Sequence, residues 1–226
     1  VKTPRAGTLH AVLFDMDGTL VDTEELWLDV VGEVYARHGG TLGPQGREAV
    51  LGRSVEDTAE LLYGSLGVPR ARLADELGRE FTEAVAEGAA PRPGALRLLA
   101  ALRAESVPTA LVSASPRAVV RRIAESLDGH GFDAVYGAED TPRTKPAPDP
   151  YLAAAARLGA DPARCVAVED TPTGVASAEA AGCVVLAVPS VQAISPAPGR
   201  TVLADLTLAD VGLLRSLVRE AGKEPA

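Results

Sequence analysis

Aromatic residues are scarce in this chain, at 4% of 226 positions, with three Phe, four Tyr and one Trp. The interior must therefore be filled by aliphatic side chains. There are only two cysteines, Cys165 and Cys183. Each sits inside a short apolar run, and their spacing fits neither a zinc site nor a disulfide framework. They read as small buried thiols, which suits a reducing cytoplasm. The three histidines, His10, His38 and His130, are scattered, and none is read as catalytic. No apolar run approaches the ~18 residues needed to cross a bilayer, so no membrane partner is expected. The first residues lack the charged, apolar and small-residue series of a signal peptide. Since the sequence begins at Val1 rather than Met, those residues carry no weight. Positive charge is also short: 22 Lys and Arg against 31 Asp and Glu give a formal net charge of −9. Nucleic-acid binding relies on cations that displace counterions, so nucleic acid is not an expected partner. A phosphorylated small molecule would need local positive charge, from a metal and a few cationic side chains.

The length suits one domain, or one domain carrying a modest insert. The hydrophobic fraction, 46%, is ordinary for a globular chain. No internal repeat or low-complexity stretch is present. His10–Asp17 reads as a strand buried on both faces, because four apolar residues run straight into polar residues and Gly18. After Asp22 the period changes. Leu26, Val30, Val31, Val34 and Tyr35 recur at helical spacing until Gly39-Gly40. Residues 46–64 and 70–87 also read as helices, with no convincing strand between residues 22 and 90.

From Pro91 the chain alternates. Helices are expected at 95–104, 116–127, 148–158 and 174–181. Strands are expected at 107–112, 132–136, 165–168 and 183–188, with a short one at 202–203. The ends, 1–8 and 219–226, are polar and expected to fray. Strands alternating with helices predict an α/β fold, a Rossmann-like parallel-sheet core over residues 1–21 and 91–226. A helical unit at 22–90 interrupts that core after its first strand.

In an open parallel sheet, ligands bind beyond the carboxyl ends of the strands. This sequence places Asp15 and Asp17, Ser113, and Glu169 and Asp170 at those ends. Four converging acidic groups repel one another unless a cation neutralises them. Oxygen ligands without His or Cys point to Mg²⁺. Lys145 sits in a loop rich in Pro, Thr144-Lys145-Pro146-Ala147-Pro148-Asp149, which would hold it rigidly. Each residue also has a plainer reading. Asp15-Met16-Asp17-Gly18 could be a strand-to-turn transition, and Ser113 and Ser115 could cap the next helix. Glu169-Asp170 could be an acidic pair at a helix start, and Lys145 a solvated surface lysine. Asp22 and Glu24 could serve only to shape a hinge.

Taken together, these segments resemble the haloacid dehalogenase superfamily. Asp15-Met16-Asp17-Gly18-Thr19-Leu20-Val21-Asp22 looks like its first signature. Ser113 at the end of an apolar strand looks like the second, Lys145 the third and Glu169-Asp170 the fourth. The likeness covers nearly the whole chain. A lone D-x-D is weak, but four signatures in order are specific.

The resemblance implies roles. Asp15 attacks phosphorus and forms an aspartyl-phosphate. Asp17 protonates the leaving alcohol and later deprotonates water. Mg²⁺ is held by the Asp15 carboxylate, the Asp17 backbone carbonyl and Asp170, with Glu169 at or near the metal. Ser113, backbone N–H groups around Ala114, Gly18 and Lys145 bind the phosphoryl group. The helical insert is then a cap that closes over substrate.

Thr23-Glu24-Glu25-Leu26-Trp27, Ser113-Ala114-Ser115-Pro116 and Val202-Leu203-Ala204-Asp205 resemble bacterial sugar-phosphate phosphatases of the 2-deoxyglucose-6-phosphatase type. Within the cap, Arg53 could hold a substrate group or be a surface arginine. Trp27 could contact substrate or be a core aromatic. A β-phosphoglucomutase is the nearest rival. Mutases carry His where this chain has Trp27, and a G-x-S-R where it has Gly52-Arg53-Ser54-Val55. Dehalogenation, needing neither metal nor a second aspartate, fits less well, as does an inactive phosphometabolite-binding relative. The expectation is a monomeric, cytoplasmic, Mg²⁺-dependent phosphatase of small phosphorylated metabolites.

Overall fold

The computed structural model describes residues 8–51, 53–127 and 131–222. Among them, contacts divide the chain into two compact units, one built from residues up to Val21 and from Pro91 onward, the other from Asp22–Ala90.

The first unit opens with β1 (Ala11–Phe14), all four residues buried. The chain then enters the second unit through β2 (Val21–Asp22) and leaves it through β3 (Ala90–Pro91), which pair as a two-stranded sheet. Between them lie α1 (Glu24–Arg37), α2 (Pro44–Val50), α3 (Val55–Leu66) and α4 (Arg70–Glu87). After β3 the order is α5 (Ala95–Ala104), β4 (Thr109–Val112), α6 (Arg117–Ser126), β5 (Ala134–Tyr136), α7 (Asp149–Arg157), β6 (Cys165–Glu169), α8 (Pro172–Ala180), β7 (Val184–Ala187), β8 (Arg200–Val202) and α9 (Val211–Ala221).

Six strands form one parallel sheet in the order β5-β4-β1-β6-β7-β8. The chain runs outward from β1 through β4 to β5. It then crosses back and lays β6 on the other side of β1. Connections therefore leave β1 in opposite directions, which opens a crevice at the carboxyl ends of β1 and β6.

Both sheet faces are covered, so the strands are continuous apolar runs rather than alternating ones. On one face Ala11, Leu13, Ala110 and Ala167 pack with Tyr151, Ala154, Val175 and Ala178 of α7 and α8. The abundance of alanine lets these helices sit close to the sheet. Tyr151 is the one aromatic ring fully buried there. Helices α5 and α9 pack on each other, and α9 lies against β6 and β7.

In the helical unit, α1 buries Trp27, Leu28, Val30, Val31 and Val34. On α4, Leu73, Leu77, Phe81 and Val85 recur every four residues and are all buried. One apolar stripe thus faces α1 and α3. The single helix expected at 46–64 is two. Ser54 is a new N-cap, its hydroxyl accepting the Asp57 N–H at 3.1 Å. Helix α3 then ends on Gly67 at φ +66.

Helix α9 was not expected, and it extends to Ala221 where fraying was anticipated from residue 219. Its signal is present all the same. Asp210 caps it by accepting the Leu213 N–H, and Val211, Leu214, Leu217 and Val218 form its buried stripe. Residues 1–7 and 223–226 of the polar ends lie outside the described residues, as do Gly52 and His130. The expected strands at 107–112 and 132–136 begin two residues later, at Thr109 and Ala134, the strand at 165–168 runs one residue further, to Glu169, and the last short strand is Arg200–Val202. No helix among the described residues is long and apolar enough to cross a membrane.

Candidate active site

Asp15 stands one residue past β1, and its N–H donates to Val168 O of β6 at 2.9 Å. This backbone bond ties the end of β1 to the end of β6. The next residues fold into a tight turn, with Leu20 N–H donating to Met16 O and Gly18 N–H to Val21 O, both at 2.9 Å. Gly18 has φ +75, and a Cβ there would collide with the Asp170 carboxylate. Glycine is required at this position on both counts.

Asp15, Glu169 and Asp170 offer carboxylate oxygens that all lie within 4.8 Å of one another, and all three residues are buried. Lys145 reaches into this group. Its ammonium donates to Asp15 Oδ1 at 2.5 Å and Glu169 Oε1 at 2.6 Å, with 5% of the side chain exposed. The Lys145–Pro146 peptide bond is cis. Asp170 is held by Ser190, whose hydroxyl donates to Oδ2 at 2.5 Å, and by Thr19, which donates to Oδ1 at 3.3 Å.

The electrostatics follow from burial. Asp170 is pushed up to about 8, first by burial and then by the like charge of Asp15. Glu169 is pushed up to about 7 by burial and Asp15, against the pull of Lys145. Burial would lower Lys145, but the two carboxylates outweigh it and hold the ammonium above its ordinary range. Three buried carboxylates with one ammonium leave an excess of negative charge that only protons or a cation can balance. Glu169 Oε2 is also buried without a hydrogen-bond partner. The donor set is all oxygen, as suits a hard divalent cation.

Asp17 is treated differently. Its Oδ2 accepts from the hydroxyls of Ser113, at 3.1 Å, and Ser115, at 2.7 Å. Its carboxylate is outside the three-residue acidic cluster. The capping reading of the two serines does not hold, since Pro116 occupies the N-cap of α6 with no side-chain cap bond. Ser113 is fixed through its N–H to Tyr136 O at 3.0 Å, and its Oγ accepts the Ser115 N–H at 2.9 Å. Ala114 between them is exposed. The N-cap of α8 is Thr171, so Glu169 and Asp170 precede that helix rather than fill its first turn.

Asp15, Lys145, Glu169 and Asp170 therefore form one cluster with Gly18 against Asp170, while Asp17 is bonded to Ser113, which follows the neighbouring strand β4. Trp27 and Arg53 belong to the helical unit, where both side chains are engaged. The Trp27 indole donates to Val50 O at 3.1 Å, stacks edge-on against Phe81 at 5.3 Å, and is buried. These are the contacts of a core aromatic. Arg53 is exposed and donates to Ala49 O at 2.5 Å, one turn back. His10 accepts the Asp161 N–H, and His38 lies 2.8 Å from Glu76, each away from the acidic cluster.

Sequence reasoning missed Thr19, Ser190 and Tyr151. Tyr151 lies in an apolar helix and reads as plain core, yet its hydroxyl donates to Glu169 Oε1 at 2.5 Å. Thr19 sits inside the first signature, so its position was a usable signal. Ser190 follows β7 in a loop with no pattern.

A family model described as haloacid dehalogenase-like hydrolase matches residues 9–182. The chain belongs to this family. Hexitol phosphatase B of Escherichia coli strain K12 is 32% identical over 216 residues, covering 93% of this chain and 96% of that protein. A bifunctional riboflavin kinase/FMN phosphatase of Arabidopsis thaliana is 35% identical over 188 residues, covering 79% of this chain. This haloacid dehalogenase-like chain spans 48% of that two-activity relative, about half its length. Among solved structures, a HAD family hydrolase from Deinococcus radiodurans with bound phosphate and sodium aligns with a TM-score of 0.69 and 29% identity. That alignment covers 98% of this chain and 100% of the other.

Proposed function

We propose that the chain is a Mg²⁺-dependent phosphatase of small phosphorylated metabolites, sugar phosphates foremost, working through an aspartyl-phosphate on Asp15. The observation that carries this reading is the buried Asp15–Lys145–Glu169 bridge beside Asp170, at the switch point of the parallel sheet. The likeness to a hexitol phosphatase over 93% of the chain supports the substrate class.

In this reading Asp15 Oδ2 attacks phosphorus, while Lys145 on Oδ1 holds the carboxylate in place and offsets charge on the phosphoryl oxygens. Asp15 and Asp170, with the Asp17 backbone carbonyl, hold the cation, and Glu169 serves mainly to fix Lys145. Bound there, Mg²⁺ supplies the positive charge that lets an anionic nucleophile approach an anionic phosphate. Asp17 gives a proton to the leaving alcohol and takes one from the water that later attacks phosphorus. Ser113 and the N–H groups around Ala114 bind phosphoryl oxygens once Asp17 turns from Ser113 toward the substrate. Residues 22–90 act as the cap on a core of 1–21 and 91–226, with Arg53 left as a candidate substrate contact. A monomer in the cytoplasm completes the proposal, in keeping with two buried free thiols.

The test is Mg²⁺-dependent phosphate release from a panel of hexitol, hexose and pentose phosphates, nucleotides and β-glucose 1-phosphate. Release from the sugar and hexitol esters, lost on chelation, is the expected result. Conversion of β-glucose 1-phosphate to glucose 6-phosphate with little free phosphate would replace the phosphatase by a mutase.

A further inference from the structure

Lys145 is shared between two carboxylates, and the position of its ammonium depends on how strongly each one pulls. Glu169 is the competitor of Asp15. It is fully buried, and its Oε2 has no hydrogen-bond partner. Its Oε1 accepts from both the Lys145 ammonium at 2.6 Å and the Tyr151 hydroxyl at 2.5 Å. Tyr151 is itself 0% exposed, in the alanine-rich layer between α7 and the sheet. Its ring also lies beneath the ammonium, with Nζ 5.2 Å from the ring centre. One side chain thus touches both partners of the ion pair, through its hydroxyl on one and its π face on the other.

We propose that Tyr151 is a positioning residue for the phosphoryl-transfer reaction. Its hydroxyl satisfies part of the Glu169 charge, so that Lys145 stays on Asp15 instead of collapsing onto Glu169. The inference rests on the phosphatase reading above. Hydrogen bonds to a charged acceptor in a dry site are among the stronger ones, and losing one leaves the acceptor under-satisfied. Without the hydroxyl, Glu169 draws on its remaining donor and pulls Lys145 away from the nucleophile. The lost group touches no substrate atom, so the effect falls on turnover rather than on binding.

The experiment is a double-mutant cycle of Tyr151→Phe and Glu169→Gln, read as kcat and KM on the best ester from the panel, with thermal melting of all four proteins. Tyr151→Phe keeps the ring and the packing. Its kcat is expected to fall about tenfold, with KM within about twofold, the size of one charged hydrogen bond partly lost in the transition state. In the Glu169→Gln background the same change is expected to alter kcat less than about twofold, because Tyr151 acts through Glu169. Equal losses in both backgrounds, or a wild-type kcat for Tyr151→Phe, would overturn the proposal. A loss of melting temperature with unchanged kcat would assign Tyr151 to packing alone, which also overturns it. A wild-type protein that hydrolyses nothing on the panel would instead remove the phosphatase reading. Tyr151→Phe affinity for inorganic phosphate with Mg²⁺, by calorimetry, is expected to match wild type.

Discussion

Asp15 and Asp17 are two residues apart, yet their surroundings differ. Asp15 is tied to the Lys145 ammonium through Oδ1 and to the β6 backbone through its N–H, which in the proposed mechanism leaves Oδ2 for attack. Asp17 is half-buried, and its Oδ2 accepts from the Ser113 and Ser115 hydroxyls. Asp15→Asn removes the nucleophile, and steady-state phosphate release should fall by at least about 10³-fold with the fold intact by circular dichroism. Asp17→Asn should keep phosphate affinity in calorimetry while turnover falls about 10²- to 10⁴-fold, the range of a lost proton-transfer group. Comparable turnover by either variant would reassign the roles. These residues were legible from the sequence because their chemistry and their place at strand ends coincide. Ser190 and Tyr151 were not, because the contacts they make join segments 20 and 18 residues apart with no local signature. Trp27 reads from the sequence as a core aromatic or a substrate contact, and its burial and its bond to Val50 O favour the core.

The elements position these residues through close backbone approach. Helix α8 begins just after Glu169-Asp170, and Gly174 in its first turn faces the Glu169 carboxyl group. A Cβ on residue 174 would overlap that carboxyl, so Gly174→Ala must push Glu169 off Lys145 and Tyr151 or shift the helix. Overpacking of this kind costs about 1–3 kcal/mol. A melting temperature lowered by several degrees, together with reduced kcat, is expected, and wild-type values in both would show that α8 yields freely. Most elements were visible in the sequence because strands covered on both faces are short continuous apolar runs and helices covered on one face repeat every three to four residues. The break between α2 and α3 escaped notice because helical periodicity survives it. Ser54 marks it chemically, by capping, and not by a change in hydrophobic pattern. Helix α9 was also passed over. Its stripe of Val211, Leu214, Leu217 and Val218 lies before the 219–226 stretch expected to fray, so only its last three residues fall within that stretch.

At the scale of the whole molecule, the sheet concentrates negative charge in an already acidic chain. Asp170 and Glu169 have folded-state values raised above those of an unfolded chain. Raised carboxyls stabilise the fold below the unfolded value of about 4, and that contribution is lost as pH climbs through 7 to 8. The metal-free protein should therefore melt at a lower temperature near pH 8.5 than near pH 5.5, roughly speaking, for this pair alone. A divalent cation held by the ionised carboxylates must displace protons, so on the proposed reading the stabilising effect of Mg²⁺ should be larger at the higher pH. Differential scanning fluorimetry with and without Mg²⁺ at both values checks this, and a metal effect that shrinks with rising pH would contradict the acidic cluster as the binding site. The change of period at Asp22 and the prolines after Ala90 stand at the boundaries of the two compact units. Strand order was not, since no local pattern says that β6 returns to the side of β1.

That strand order also sets a timetable for synthesis. β1 occupies the middle of the sheet, but Val12 pairs with Thr109 and Ala11 with Cys165. A ribosome adding roughly 5–20 residues per second releases the first strand several seconds before its second neighbour exists. During that interval four apolar residues wait, while α1, α3 and α4 already have one another to pack on. The strand that leads into Asp15 is thus the one left longest without its sheet neighbours, and chaperone demand should be greatest before residue 169 emerges.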